Sequence, residues 1–310
     1  MMSTKEVPGL NDRALVSVDE MLRCSAELGV KRGSVVGARI LDAGNESLGG
    51  LHAGVLIAQM AMANLGKVSL LPNPDPTQLG PVVAVNVTHP VAACVICQHD
   101  GWLIEDEESD YKARGSGPFR AAYGKEELYD IFGFRERTGV AVGVIETNTT
   151  PPKQLVHQLS IMCSVEQHHL ALICVNPSSL AGSVLTASRT VEWALMKLHS
   201  MNFNIKRIVS AYGVCPLGAV GGGMIRSVAN AYDQLIYNSQ VTLYATGDDE
   251  TLASVITQLP SNTSSMFGQR SESLLSIDSS TAQTLDPALR SPAKICIQNI
   301  ETGNMHVQNN

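Results

Sequence analysis

The run Leu170-Ala171-Leu172-Ile173-Cys174-Val175 holds six residues without a charged or amide side chain, and Val82 to Val87 is nearly as apolar, broken only by Asn86. Runs this short suit strands better than helices, and a strand apolar on both sides needs cover on both faces. Helical patterns lie between these runs and the similar one at 140–145. A chain that keeps alternating buried-type strands with helices packs them as α/β or α+β layers rather than as a bundle.

In chain order, Asn11 or Asp12 is placed to cap a helix carrying Leu15, Val16, Met21, Leu22 and Leu28 and stopping near Gly29. A strand over 35–41 follows, then a helix over 51–65 opened by Gly49-Gly50, a strand over 67–71 and a proline-rich loop over 72–76. After the strand at 82–87, Thr88 caps a helix with Pro90 in its first turn, running to Gly101. Trp102 to Ile104 starts a strand and 105–110 is a solvated acidic turn. Thr147-Asn148-Thr149-Thr150-Pro151-Pro152 reads as a linker, which divides the chain into domains 1–150 and 151–310. The second half repeats the alternation: helix 153–162, strand 170–175, helix 183–198, strand 205–211, a loop through Gly221-Gly222-Gly223, a helix to Tyr237, strand 241–245 and a helix after Asp248. A Ser/Thr/Gln-rich excursion at 261–292 precedes a hairpin pairing 293–298 with 305–307 across Thr302-Gly303.

Composition removes several function classes. Lys and Arg number 22 against 29 Asp and Glu, for a net charge of −7 and a pI near 5.6. Neither nucleic acid nor an anionic membrane is then the expected main partner. No stretch approaches the roughly 20 apolar residues of a spanning helix, and the opening Met1 to Pro8 lacks the apolar run of a secretory signal. The 7 cysteines are an odd number scattered through apolar segments, the usage of reduced core residues in a cytoplasmic protein.

Within 183–198, Val184, Val191, Leu195 and Leu198 form an apolar stripe, and Arg189, Glu192, Met196 and His199 trace the stripe beside it. A guanidinium and a carboxylate thus project from one rigid element. Alone, such a pair is ordinarily a surface ion pair contributing about 0.2–0.5 kcal/mol. Cys94 and Cys97 have metal-ligand spacing but sit in an apolar helix with no second pair, and His168-His169 lacks companions, so no metal is implied. Gly115-Ser116-Gly117-Pro118, flanked by Lys112, Arg114, Arg120 and Lys125, reads either as an anion cradle or as a tight turn with a basic rim.

Several runs in order then resemble the methenyltetrahydromethanopterin cyclohydrolase family: Asp42-Ala43-Gly44 with Gly49-Gly50 and Ala53-Gly54, His89-Pro90, Gly101-Trp102, Gly115-Ser116-Gly117-Pro118 with Arg120, Gly182-Ser183-Val184, Arg189 with Val191-Glu192, Gly247-Asp248-Asp249-Glu250 and Thr302-Gly303. They span nearly the whole chain. The resemblance implies two α/β-type domains with a pocket between them, often in a homotrimer, acting in one-carbon metabolism of methanogenesis or formaldehyde oxidation. It implies no metal or nucleotide cofactor, the tetrahydromethanopterin-type pterin being the substrate carrier. The family's catalytic arginine and glutamate fall on Arg189 and Glu192. Gly115, Ser116, Gly117, Arg120 and Ser183 are the implied substrate-binding positions.

The implied reaction is reversible hydrolysis of 5,10-methenyltetrahydromethanopterin to the 5-formyl pterin. The methenyl carbon lies in a cationic amidinium and is already electrophilic, so the protein supplies an oriented water and a base. Glu192 is that base, with Arg189 holding carboxylate and water in line. The sequence departs from the family at 229–233, where Ala229-Asn230-Ala231-Tyr232-Asp233 replaces Gly-Arg-Thr-Asn-Asp, and at Thr88, where an aspartate often precedes the His-Pro pair. The Gly221 to Gly223 run has no family counterpart. The 229–233 departure supports the alternative, a diverged pterin-binding protein with little or no cyclohydrolase activity.

Overall fold

The computed structural model describes residues 9–75, 80–106, 108–275 and 285–309. The opening Met1 to Pro8, Pro76 of the proline-rich loop, Glu107 of the acidic turn and 276–284 of the Ser/Thr/Gln-rich excursion lie outside the described residues. In chain order the elements run α1 (Leu10–Arg23), β1 (Lys31–Val35), β2 (Ala38–Ala43), α2 (Leu51–Ala61), β3 (Gly66–Pro72) and β4 (Pro81–Val87). A π-helix (Val91–Gln98) follows, then β5 (Trp102–Glu105), β6 (Lys112–Ser116), α3 (Phe119–Tyr123), α4 (Glu127–Phe132), β7 (Ala141–Glu146), α5 (Lys153–Met162) and β8 (Leu170–Val175). The remainder is α6 (Leu180–Ala187), α7 (Thr190–Ser200), β9 (Ile208–Pro216), α8 (Met224–Asn238), β10 (Gln240–Ala245), α9 (Asp249–Ile256), α10 (Ser271–Leu274), β11 (Lys294–Asn299) and β12 (Met305–Gln308).

The chain forms two discontinuous units, Met1–Leu65 with Ala92–Gly182, and Gly66–Val91 with Ser183–Asn310. Each holds a six-stranded mixed sheet, ordered β1-β2-β8-β7-β6-β5 in the first unit and β12-β11-β10-β9-β4-β3 in the second. The alternation of strand and helix was thus a sound guide to class. β8 lies between β2 and β7, parallel to both, and all six of its residues are buried, as its unbroken apolar run requires. One face of this first sheet carries Trp102, Ile104, Phe119, Leu155, Leu159 and Leu172 in a single core, where Trp102 stacks on Tyr123 at 4.6 Å.

Tertiary contacts redirect several local expectations. The expected boundary at 147–152 falls inside the first unit: β7 and β8 are parallel neighbours, and the Thr147 N–H donates to Val175 O at 3.0 Å, extending their ladder. A cut at 150 would therefore divide one sheet. The strand expected over 35–41 is a hairpin, β1–β2, turning at Val36 and Gly37, both at positive φ (44° and 90°), the geometry of a two-residue loop. Asn11 does not cap α1, whose N-cap is Gly9. Its side chain instead donates to Pro118 O at 3.0 Å and accepts from Val142 N–H at 2.9 Å. The helix expected after Thr88 is the π-helix, continued by a His99 N–H to Cys94 O bond of 2.8 Å. Cys94 and Cys97 are fully buried within it, and burial pushes the Cys97 thiol well above its ordinary range. The β11–β12 hairpin pairs antiparallel as expected.

Candidate active site

Two helices replace the single one expected over 183–198. α6 stops at Ala187 and α7 restarts at Thr190, with Ser188 and Arg189 between them. The local cause is the hydroxyl-rich Thr-Ala-Ser-Arg-Thr stretch. Ser188 Oγ donates to Leu185 O at 2.6 Å and Thr190 Oγ1 to Ala187 O at 3.0 Å, and side chains that bond preceding carbonyls compete with the helix ladder and bend it. Arg189 takes φ −81° and ψ 6°, the sparsely populated bridge region.

Arg189 is therefore the N-cap residue of α7 and Glu192 lies in its first turn. Exposures of 1% and 0% exclude the ordinary solvated ion pair. Both residues are engaged in contacts, as buried charges must be, and the positive end of the α7 dipole favours a carboxylate in that turn. The rest of the helix fixes this end against β9. A Cβ on Gly213 of β9 would lie 3.1 Å from Thr190 Cβ and from Val191 Cγ2, so a side chain there would press the start of α7 away by a few tenths of an ångström. Trp193, one residue beyond Glu192, is 1% exposed and faces Tyr232 of α8 at 5.9 Å.

Ser183, on α6, is buried and donates its hydroxyl to Gly218 O at 2.9 Å. A Cβ on Gly218 would meet the α8 backbone at Ala231 N at 2.7 Å. The divergent 229–233 stretch thus forms buried packing of α8 through Ala229, Ala231 and Tyr232, while Asn230 Nδ2 donates to Ala219 O at 3.0 Å and Asp233 Oδ1 accepts from Ser271 N–H at 2.9 Å. Neither Gly213 nor Gly218 carries a signal in the sequence, since each matters only for what packs on it.

Gly115, Ser116, Gly117 and Arg120 belong to the first unit. Gly115 and Ser116 are the end of β6 rather than a free turn. A Cβ on Gly115 would lie 2.7 Å from Ile104 Cδ1 and 2.9 Å from Phe119 Cζ, so this glycine serves core packing. By strand alternation Ser116 points to the opposite face, with Arg114. Ser116 is 0% exposed and its Oγ makes no hydrogen bond among the described residues. Gly117, at φ 102°, spends its N–H on Cys97 O at 2.7 Å, which removes it from an anion cradle.

Arg120 differs most from the expected substrate contact. It is fully buried, and its Nε and Nη2 grip Glu126 Oε1 and Oε2 at 2.9 and 2.7 Å. Nη1 reaches the carbonyls of Val95, Ile96 and Cys97 at 3.4, 3.2 and 3.5 Å. Glu126 follows Arg120 closely in sequence, but nothing there marked it as the partner. Lys112, at the surface, pairs with Glu105 at 3.0 Å.

With this geometry in view, comparison with known proteins identifies the relatives. The family model described as Cyclohydrolase (MCH) matches residues 9–309. A methenyltetrahydromethanopterin cyclohydrolase of Rhodopirellula baltica is 33% identical over 275 residues, covering 87% of this chain and 82% of that protein. Proteins of the same name from a Methylobacterium species and from Methanococcoides burtonii are each 30% identical, covering 99% and 94% of this chain and 95% and 92% of their own. The chain belongs to the methenyltetrahydromethanopterin cyclohydrolase family.

Proposed function

We propose that this chain hydrolyses the methenyl bridge of a tetrahydromethanopterin-type pterin, reversibly, giving the 5-formyl product. The observation that carries the reading is the buried Arg189 and Glu192 pair at the amino end of α7 in a chain that matches its family from residue 9 to residue 309. A surface position would have left the pair to solvent screening.

The chemistry follows from the amidinium. Water oxygen bonds to the methenyl carbon while one of its protons passes to the Glu192 carboxylate. The bond from that carbon to one nitrogen then breaks with its electron pair retained by nitrogen, which takes a proton. The remaining hydroxyl proton leaves as the formyl carbonyl forms, so one water proton ends on nitrogen and the other is released. Arg189 holds Glu192 and the water in line. The cation is electrophilic before it binds, so the step calls for no metal or nucleotide.

Family resemblance further supports a homotrimer in the cytoplasm, which light scattering of the purified protein and fractionation of its source cells test. The described residues include no helix long and apolar enough to cross a membrane. The deciding experiment follows loss of the methenyl chromophore by wild type and Glu192→Gln, beside a pterin titration. Glu192→Gln is expected to fold and bind but to lose about 10²- to 10⁴-fold in turnover. Near wild-type turnover would remove Glu192 from the mechanism. Tight binding by wild type without turnover would instead establish the diverged binding protein, and turnover of methenyl-folate alone would reassign the substrate.

A further inference from the structure

Beyond its contact with β9, α7 is held by a short turn late in the chain, residues 285–292. Trp193 and Lys197 are four residues apart and so share one face of the helix, and both meet this turn. Lys197 Nζ donates to Ala288 O at 3.0 Å and lies 3.5 Å from Thr263 Oγ1. The Arg290 guanidinium carbon lies 5.9 Å from the centre of the Trp193 ring, within cation–π range. Arg290 Nε is enclosed and makes no hydrogen bond among the described residues. Every group involved belongs to the second unit, as does Glu192.

The turn is braced internally, so that its two contacts with α7 move together. Leu285 and Leu289 are buried, and the Leu289 and Arg290 N–H groups both donate to Asp286 O, at 2.9 and 3.2 Å. Ala288 N–H donates to Asp286 Oδ1 at 3.0 Å, and Ser264 Oγ bonds the other carboxylate oxygen. Lys197 is nearly enclosed, and burial lowers the pKa of its ammonium from the ordinary value while the Asp286 carboxylate opposes that shift. An apolar side chain could fill the same place without desolvating a charge. What the ammonium adds is direction, a charge-assisted bond that fixes Ala288 O. Trp193 directly follows Glu192, so whatever fixes its ring also fixes the first turn of α7. We propose that Lys197 and Arg290 are positioning residues that clasp the 285–292 turn onto α7 and, through Trp193, hold Glu192 in line with the water it deprotonates.

The inference rests on Glu192 as the base of the proposed hydrolysis, and two readouts keep the two apart. Lys197→Met, Arg290→Met and the double variant remove the charges but keep unbranched apolar side chains. Tm is recorded for each, and kcat and KM for the methenyl-pterin are measured well below it. Acrylamide quenching of tryptophan fluorescence reports on Trp193, because Trp102, the other tryptophan of the chain, belongs to the first unit. Each single variant is expected to lower kcat about 10-fold with KM within about 3-fold. The double variant is expected to fall no more than about 2-fold below the weaker single one, because both anchors hold one turn. Lys197→Met leaves Arg290 in place and is still expected to raise the Trp193 quenching constant about 2-fold, as the turn opens locally.

Wild-type kcat in the folded single variants, whatever their Tm, would reduce the clasp to packing and overturn the positioning role while leaving the enzyme reading intact. Additive losses in the double variant, or unchanged quenching in Lys197→Met, would overturn it too. If one single variant fails to fold, kcat and quenching of the other decide. Absence of turnover by wild type would instead sink the enzyme reading, with quenching still deciding whether the turn holds Trp193.

Discussion

At the scale of single residues, burial and close approach decide what side chains of the same type do. Arg189 and Arg120 are both fully enclosed, yet one occupies a helix break beside Glu192 and the other has its donors spent on Glu126 and three carbonyls. Gly213 makes the same point without a functional group: the amino end of α7 packs within 3.1 Å of where a Cβ would stand. In a strand, Gly to Val would ordinarily help, since β-branched side chains favour sheets. Here Gly213→Val is expected to cost about 1–3 kcal/mol through overpacking and to lower turnover by shifting Glu192. Urea denaturation and the chromophore assay check both, and a variant more stable than wild type would refute the close approach.

At the scale of elements, α9 is bolted to the β11–β12 turn through one carboxylate. Asp249 accepts from Asn299 Nδ2 at 2.8 Å, Asn304 Nδ2 at 2.8 Å, and His306 Nε2 and Thr302 Oγ1 at 3.2 Å. These donors, Asn299 foremost, hold the Asp249 carboxyl well below the usual carboxylate range. A depressed folded-state pKa contributes stability that is fully present above the unfolded value, roughly 3.9, and is lost as pH falls through the lower folded value. Unfolding measured between about pH 5 and pH 2 should therefore lose more stability in wild type than in Asp249→Asn. Parallel pH curves would show that the carboxylate does not fasten the hairpin.

At the scale of the whole molecule, each unit assembles its sheet from segments distant in sequence. β3 and β4 join β9 to β12 in the second unit, and β8 lies between β2 and β7 in the first. Fragments 1–150 and 151–310 expressed separately are therefore expected to lack cooperative unfolding, because the cut strips β7 of β8. Sharp thermal transitions in both fragments by circular dichroism would contradict this arrangement. The composition-based boundary at 147–152 failed for the same reason: a proline- and threonine-rich turn marks the end of an element, not the edge of a unit.

What the sequence determined by itself is what local pattern and ordered motifs carry. Apolar runs such as 170–175 set the buried strands, Asp248 marked the start of α9, Thr302-Gly303 marked the final hairpin, and the chain-long motif order identified the family. Local pattern could not reveal the break at Ser188 and Arg189, because helical periodicity continues across it while the hydroxyl bonds that bend it depend on rotamers. Nor could it reveal the roles of Asn11, Gly213 and Arg120, whose partners lie far along the chain or on another element. Tertiary structure alone decided which charges are enclosed, and enclosure separates the Arg189 and Glu192 pair from an ordinary surface ion pair.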